Sequence, residues 1–279
     1  MSGDDLGQPL ILTVAPNGAR KTRADHPALP MTAAEIARTA AACAEAGAAM
    51  IHLHVRDKAG AHLLDAEAYR EATAAIRQEA GPDIVVQITT EAVGRYTPVQ
   101  QMAVVRDSAP EAVSLALREL CPDPAAEPAA AEFFAWLQGR GILAQYILYS
   151  EDEVARFDDL VRRGIVPEGP HFTLFVLGRY TPDQTSQPRD LLPFVAANTA
   201  GHPWMVCAFG ARETACAVAA AALGGHARVG FENNLFLPAG IQAADNAGLV
   251  AAAARGIAAI GRPLAAATAA RALMAGRQA

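Results

Sequence analysis

Short apolar runs alternate with longer, alanine-rich amphipathic stretches along the chain. The runs at 10–15, 50–55, 83–89, 112–117, 142–149, 171–177, 204–209 and 227–231 have strand length and are rich in β-branched or aromatic residues. Between them, helical periodicity predicts helices over 32–48, 65–80, 97–107, 129–140, 151–164, 188–198, 211–225 and 242–260, with a closing helix near 264–275. Thr32 before Glu35 is a capping-box signature for the first of these. Gly224 and Gly225 read as a helix stop. Eight strand–helix units in 279 residues predict an α/β chain of the (β/α)8 TIM-barrel type. No Gly/Ser- or Pro-rich linker interrupts the series, so 1–279 reads as a single domain with a C-terminal helix. A doubly wound sheet is the second arrangement compatible with the alternation. The unit count and the polar residues at the strand ends favour the barrel, whose strand ends ring one mouth.

The second strand departs from the plain apolar pattern. In "MIHLHVRD" (50–57) alternate side chains share a face, so His52, His54 and Arg56 point one way and Ile51, Leu53 and Val55 the other. One face is core; the other is chemistry.

Composition narrows the setting. The chain is 52% hydrophobic and 19% charged with a net charge of -6, which gives no footprint for nucleic acid or a membrane surface. No apolar run reaches a membrane span, and the acidic start lacks the basic region of a signal peptide. Cys43, Cys121, Cys207 and Cys216 form no C-x-x-C pair, so neither a disulfide framework nor a cysteine zinc site is expected, and the reducing cytoplasm is the expected location.

The polar residues collect at predicted strand ends. The first strand supplies Asn17, Arg20 and Lys21, and the third Thr89, Thr90 and Glu91. The fourth supplies Ser114, Arg118 and Glu119, and the fifth Gln145 and Tyr149. The eighth supplies Arg228, Glu232, Asn233 and Asn234. Two imidazoles on one face plus a carboxylate make a divalent-metal set with an open position, and only the first strand separates the second from the eighth. His52, His54 and Glu232 are that set. Arg228 and Arg56 serve either as partners of the carboxylate or as anion binders.

The segments "LILTVAPNGA", "TRADHPALPMTAAEIA", "AGAAMIHLHVRD", "GGHARVGFENNLF" and "IAAIGRPLA" together resemble the β-keto acid cleavage enzymes, in order, from about residue 9 to 275. The resemblance implies a zinc-containing barrel that assembles as a homo-oligomer, commonly a tetramer. It implies exchange between a β-keto acid and acetyl-CoA, giving acetoacetate and a new acyl-CoA. The family's zinc ligands fall on His52, His54 and Glu232, its hydroxyl-bearing substrate contacts on Thr89 and Ser114, and its last-strand arginine on Arg228.

Two positions depart from the family pattern. The usual Glu-Asp-Asn of the last strand is Glu232-Asn233-Asn234 here, and an asparagine takes no proton. Glu91 or Glu119 is then the expected base. Where the aminohexanoate-cleaving enzyme carries a glutamate, this chain has Arg20, followed by Lys21, with Arg118 as a further cation near the mouth. That inversion predicts a substrate neutral or anionic at its far end. The competing readings are a zinc-dependent aldolase or hydrolase, which would work without CoA, and a barrel that binds a keto acid without turning it over.

Overall fold

The computed structural model describes residues 7–169 and 171–277. In chain order its strands are β1 (Leu12–Val14), β2 (Met50–Leu53), β3 (Val55–Arg56), β4 (His62–Leu63), β5 (Val85–Thr89), β6 (Ala112–Ala116), β7 (Leu143–Leu148), β8 (Phe172–Leu177), β9 (Trp204–Ala208) and β10 (His226–Val229). β3 and β4 form a small antiparallel hairpin. The other eight run parallel and close a barrel in the order β1-β2-β5-β6-β7-β8-β9-β10, with β10 returning to β1. Each of the eight predicted apolar runs holds one barrel strand.

The helices are α1 (Ala33–Glu45), α2 (Ala66–Ala80), α3 (Pro98–Ser108), α4 (Leu117–Leu120), α5 (Glu127–Gly139), α6 (Glu151–Arg162), α7 (Leu192–Ala197), α8 (Glu213–Ala222), α9 (Asn246–Ala259) and α10 (Ala267–Met274). Their starts are chemically marked. Thr32 and Glu35 form the predicted capping box on α1. Thr97 and Gln100 form another on α3, and Asp65, Ser150 and Asp245 cap α2, α6 and α9. These caps satisfy the first-turn amides that lack helical partners. Every residue of the barrel strands from β5 to β10, apart from Leu143 and Ala144, is buried. Burial on both faces is why these segments read as continuous apolar runs rather than alternating ones.

Ile11, Met50, Val85, Phe172 and Met205 share one buried cluster with residues of α10. Arg271 of α10 donates to the carbonyls of Pro82 and Ile84, at the amino end of β5, so α10 closes the bottom of the barrel. The opposite end stays open.

The structure differs from the sequence-based reading at element ends. The predicted helix over 188–198 is a 3-10 turn at Pro188–Leu191 running into α7. The helix expected from 242 begins at Asn246. Before it a turn folds back, the amide of Leu237 bonding the carbonyl of Ile241. The hairpin and α4 lie where the sequence showed no separate element; they are too short to have a period.

Candidate active site

A chamber of about 270 Å³ opens at the carboxyl ends of the barrel strands. Asn17, Arg20, Lys21, His52, His54, Thr89, Glu91, Arg228 and Glu232, all at the predicted strand ends, line it.

His52 and His54 are buried, and their Nε2 atoms lie 3.1 Å apart. Glu232 follows β10 and sends Oε2 to within 3.6 Å of His52 Nε2 and 3.4 Å of His54 Nε2. Gly18 makes room for it. A Cβ at Gly18 would lie 2.5 Å from Glu232 Cγ, and the backbone there has φ +60°, a conformation natural to glycine.

The surroundings fix the form of His52 and of Glu232. His52 Nδ1 lies 2.8 Å from Gln87 Oε1, while the Gln87 amide donates to Gln145 Oε1 at 3.2 Å. Gln87 is thus an acceptor toward the ring, which places the His52 proton on Nδ1 and leaves Nε2 bare. Burial, together with the Arg228 charge, pushes the His52 pKa down to about 3, so the ring is neutral at physiological pH. Burial works against charge on Glu232, yet Arg228 and the two imidazoles hold its carboxyl well below the ordinary range. Arg228 donates to Glu232 Oε1 at 3.1 Å and to Cys207 Sγ at 3.2 Å. Glu232 Oε2 has no hydrogen-bond partner.

These observations fit a metal ion. Among the described residues, His52, His54 and Glu232 form the group whose ligand atoms lie within 4.8 Å of one another. The bare Nε2 of His52 and the Glu232 carboxylate oxygen, facing one point, repel unless a cation sits between them. Two imidazoles and a carboxylate suit Zn²⁺ and leave a coordination position open.

The remaining predicted residues divide. Asn17 lines the chamber and donates to the carbonyls of Pro30 and His54, fixing the strand that carries the histidines. Thr89 lines the chamber, and Ser114 lies beside it with hydroxyls 3.5 Å apart. Glu91 lines the chamber, 3.9 Å from His54 Nδ1. Glu119, Arg118 and Asn233 do not line it. Glu119 accepts from the Ala92 amide at 3.0 Å and from Gln101 at 2.7 Å, bracing the turn after β5. Arg118 pairs with Glu153 at 2.7 Å. Asn233 is buried, with neither side-chain atom hydrogen-bonded.

Lys21, expected at the end of the first strand, donates to the Glu232 carbonyl at 2.6 Å, and burial lowers its pKa. The sequence reading missed two residues of the site. Arg179 lines the wall and pairs with Glu91 at 3.4 Å. His62 of the β3–β4 hairpin bonds the Glu91 carbonyl at 2.9 Å. Gln87 was a further signal: an amide in the middle of an apolar strand needs a partner.

Comparison with known proteins follows the same outline. A 3-keto-5-aminohexanoate cleavage enzyme from Fusobacterium nucleatum subsp. nucleatum is 31% identical over 263 residues, covering 92% of this chain and 94% of that one. A 3-oxoadipate:acetyl-CoA acetyltransferase from Cupriavidus necator is 27% identical over 280 residues, covering 96% and 95%. The apo structure of ObcA superposes with a TM-score of 0.71 at 17% identity, over 89% of this chain, which spans 65% of that protein. A 3-dehydroquinate dehydratase from Geobacillus kaustophilus HTA426 superposes with a TM-score of 0.56 at 12% identity, over 91% of each chain. These structural likenesses speak for the barrel alone. A family model described as beta-keto acid cleavage enzyme matches residues 9–275, a span that contains both histidines, Glu232 and α10, and the chain belongs to that family.

Proposed function

We propose that this enzyme exchanges acyl groups between a β-keto acid and acetyl-CoA, giving acetoacetate and a new acyl-CoA, and that it does so with zinc. The observation that carries the reading is the convergence of His52, His54 and Glu232 on one point at the head of a cationic chamber. The acetyl-CoA partner draws support from relatives such as the Cupriavidus necator enzyme, whose name states an acetyl-CoA acetyltransferase.

The reaction asks for a carbanion at the carbon between ketone and carboxylate, and for a thioester brought against it. Zinc held by His52, His54 and Glu232 would supply Lewis acidity to the ketone oxygen. The carboxylate of the keto acid meets the hydroxyls of Thr89 and Ser114. Of the two candidate bases Glu91 and Glu119, Glu91 is the one on the chamber wall, and we assign it the proton transfer. It takes a proton from the carbon between ketone and carboxylate, and that carbon attacks the acetyl carbonyl. The adduct collapses with loss of the CoA thiolate, whose sulfur adds to the original ketone carbon; the old carbon–carbon bond breaks to give the new acyl-CoA, and the departing carbanion takes the proton back from Glu91 as acetoacetate. Arg228 fixes Glu232 through its bond to Oε1. The far end of the substrate faces Arg20 and Lys21, so a neutral or anionic end fits best.

The test is a screen of β-keto acids with acetyl-CoA, reading acetoacetate, with metal analysis of the same protein. Wild type should hold about one zinc per chain. His52→Ala and Glu232→Ala should lose both metal and turnover. Acetoacetate made at normal rates by either variant, or full metal retained by the double variant, contradicts the assignment.

A further inference from the structure

The ring order sets two sectors of the mouth face to face. β10, β1 and β2 carry the metal-ligating set and the cationic turn after β1. β6, β7 and β8 are the three strands diametrically across from them. The chamber spans both. Ala116, Ile147 and Val176 give its far side an apolar floor, with Tyr149, Arg179 and Gln184 toward the rim, and that side carries none of the metal-ligating set.

Three residues that follow the ends of those far strands stand together on the rim. The rings of Tyr149 and Tyr180 lie 5.2 Å apart. The Arg118 guanidinium sits 4.4 Å from the Tyr149 ring and 4.9 Å from the Tyr180 ring. Tyr149 faces the chamber, whereas Tyr180 is 66% exposed. Tyr180 is held where it is. The segment after β8 is built on Gly178, where a Cβ would lie 2.7 Å from the Thr185 carbonyl. Asp183 and Gln184 hold positive φ, a strain that persists only in a fixed loop. Arg179 and Gln184 of that segment line the chamber wall. The Tyr180 ring packs on one side against Tyr149 and Arg118 and stays two-thirds exposed on the rest of its surface.

We infer that the Tyr180–Arg118 rim, with Tyr149 beneath it, is the docking surface for the part of acetyl-CoA beyond the thioester. This rests on the proposed acyl exchange. The ketone of the keto acid sits in the metal-ligating sector with its far end toward Arg20 and Lys21, so the acetyl group approaches it from across the chamber, over Ile147 and Val176. The arm trailing from its sulfur then leaves over the rim after β6, β7 and β8. Flat amides and the adenine base stack on an exposed ring, and a guanidinium complements the phosphates.

Steady-state kinetics with two thioesters test this: acetyl-CoA, and S-acetyl-N-acetylcysteamine, which lacks everything past the first amide. Tyr180→Ala and Arg118→Gln should each raise KM for acetyl-CoA about tenfold. They should leave kcat, KM for the β-keto acid and KM for the short thioester within about twofold of wild type, a margin well inside that tenfold effect. Acetyl-pantetheine as a third thioester separates the two contacts, losing affinity in Tyr180→Ala if the ring meets the arm and not if it meets adenine. Equal effects on acetyl-CoA and the short thioester overturn the inference, as does no effect on either. So does a change in sedimentation mass of Tyr180→Ala with KM unaltered, since the ring would then cover a contact between copies. If wild type makes no acetoacetate from any β-keto acid, the proposed exchange fails. Calorimetric titration with CoA then decides the rim on its own. Binding weakened about tenfold by Tyr180→Ala supports it, and equal binding or none by wild type overturns it.

Discussion

At the scale of single residues, two glutamates near the mouth have opposite surroundings. Glu91 faces the chamber beside His54 and Arg179, while Glu119 is spent on the Ala92 amide and Gln101. A base must reach the proton it removes, and only Glu91 is on the wall. Glu91→Gln should therefore cut kcat by about 10²- to 10⁴-fold with the protein still folded. Glu119→Gln keeps an acceptor for the Ala92 amide and should hold kcat within about threefold, far less than a lost base costs. Rate measurements at saturating substrates check this, and comparable losses in the two variants would refute the distinction. Residue identity alone left both glutamates open as the base. Their separation depends on which side of the turn after β5 each side chain falls, and no sequence period encodes that.

At the scale of elements, the turn carrying Glu232 hangs between the first residues of two helices. Glu213 at the start of α8 accepts from the Gly230 amide at 3.0 Å and from the Asn234 side chain at 3.3 Å. Asn246 at the start of α9 accepts from the Phe231 amide at 2.9 Å and donates to the Pro16 carbonyl. Burial pushes the Glu213 carboxyl up to about 8 despite those donors. An unfolded glutamate titrates near 4.3, so between there and about 8 the folded chain holds a proton that the unfolded chain has released. Stability then falls as pH rises through that window. Glu213→Gln has no such titration. Wild-type stability relative to the variant should drop from about pH 5 to about pH 8, by at most about 1.4 kcal/mol per pH unit. Denaturant unfolding across that range measures it, and parallel pH profiles would rule it out. The elements themselves were largely legible. Strands buried on both faces show as unbroken apolar runs, and helices announce their starts through caps such as Thr32–Glu35. Hydrophobic period does not report that Glu213, in an alanine-rich helix, reaches back to the Gly230 turn, or that two-residue strands bring His62 under Glu91.

At the scale of the whole molecule, the sign of the chamber follows from summing its wall. Arg20, Lys21, Arg179 and Arg228 outnumber Asp25, Glu91 and Glu232, and a bound divalent ion would widen the excess. Asp25 accepts from the Thr22 amide and hydroxyl, which holds its carboxylate in the turn after β1. Among β-keto acids with cationic, neutral and anionic far ends, the anionic one should have the highest kcat/KM. Arg20→Glu and Lys21→Met should each reduce that advantage by about tenfold or more, the worth of a charged hydrogen bond. A cationic substrate preferred by wild type, or an unchanged ranking in both variants, would defeat the expectation.

The barrel has one joint that links distant parts of the chain: β1 meets β10 through pairs such as Leu12 with Ala227. His52 and His54 lie on one side of that joint and Glu232 on the other. Closing so long a loop costs entropy before any contact rewards it. An ion shared by both sides binds only when the ring is shut, so its affinity becomes closure energy. Metal supply would then govern turnover and survival together. A chain without the ion would be both idle and easier to open across that joint, so one supply would set activity and stability alike.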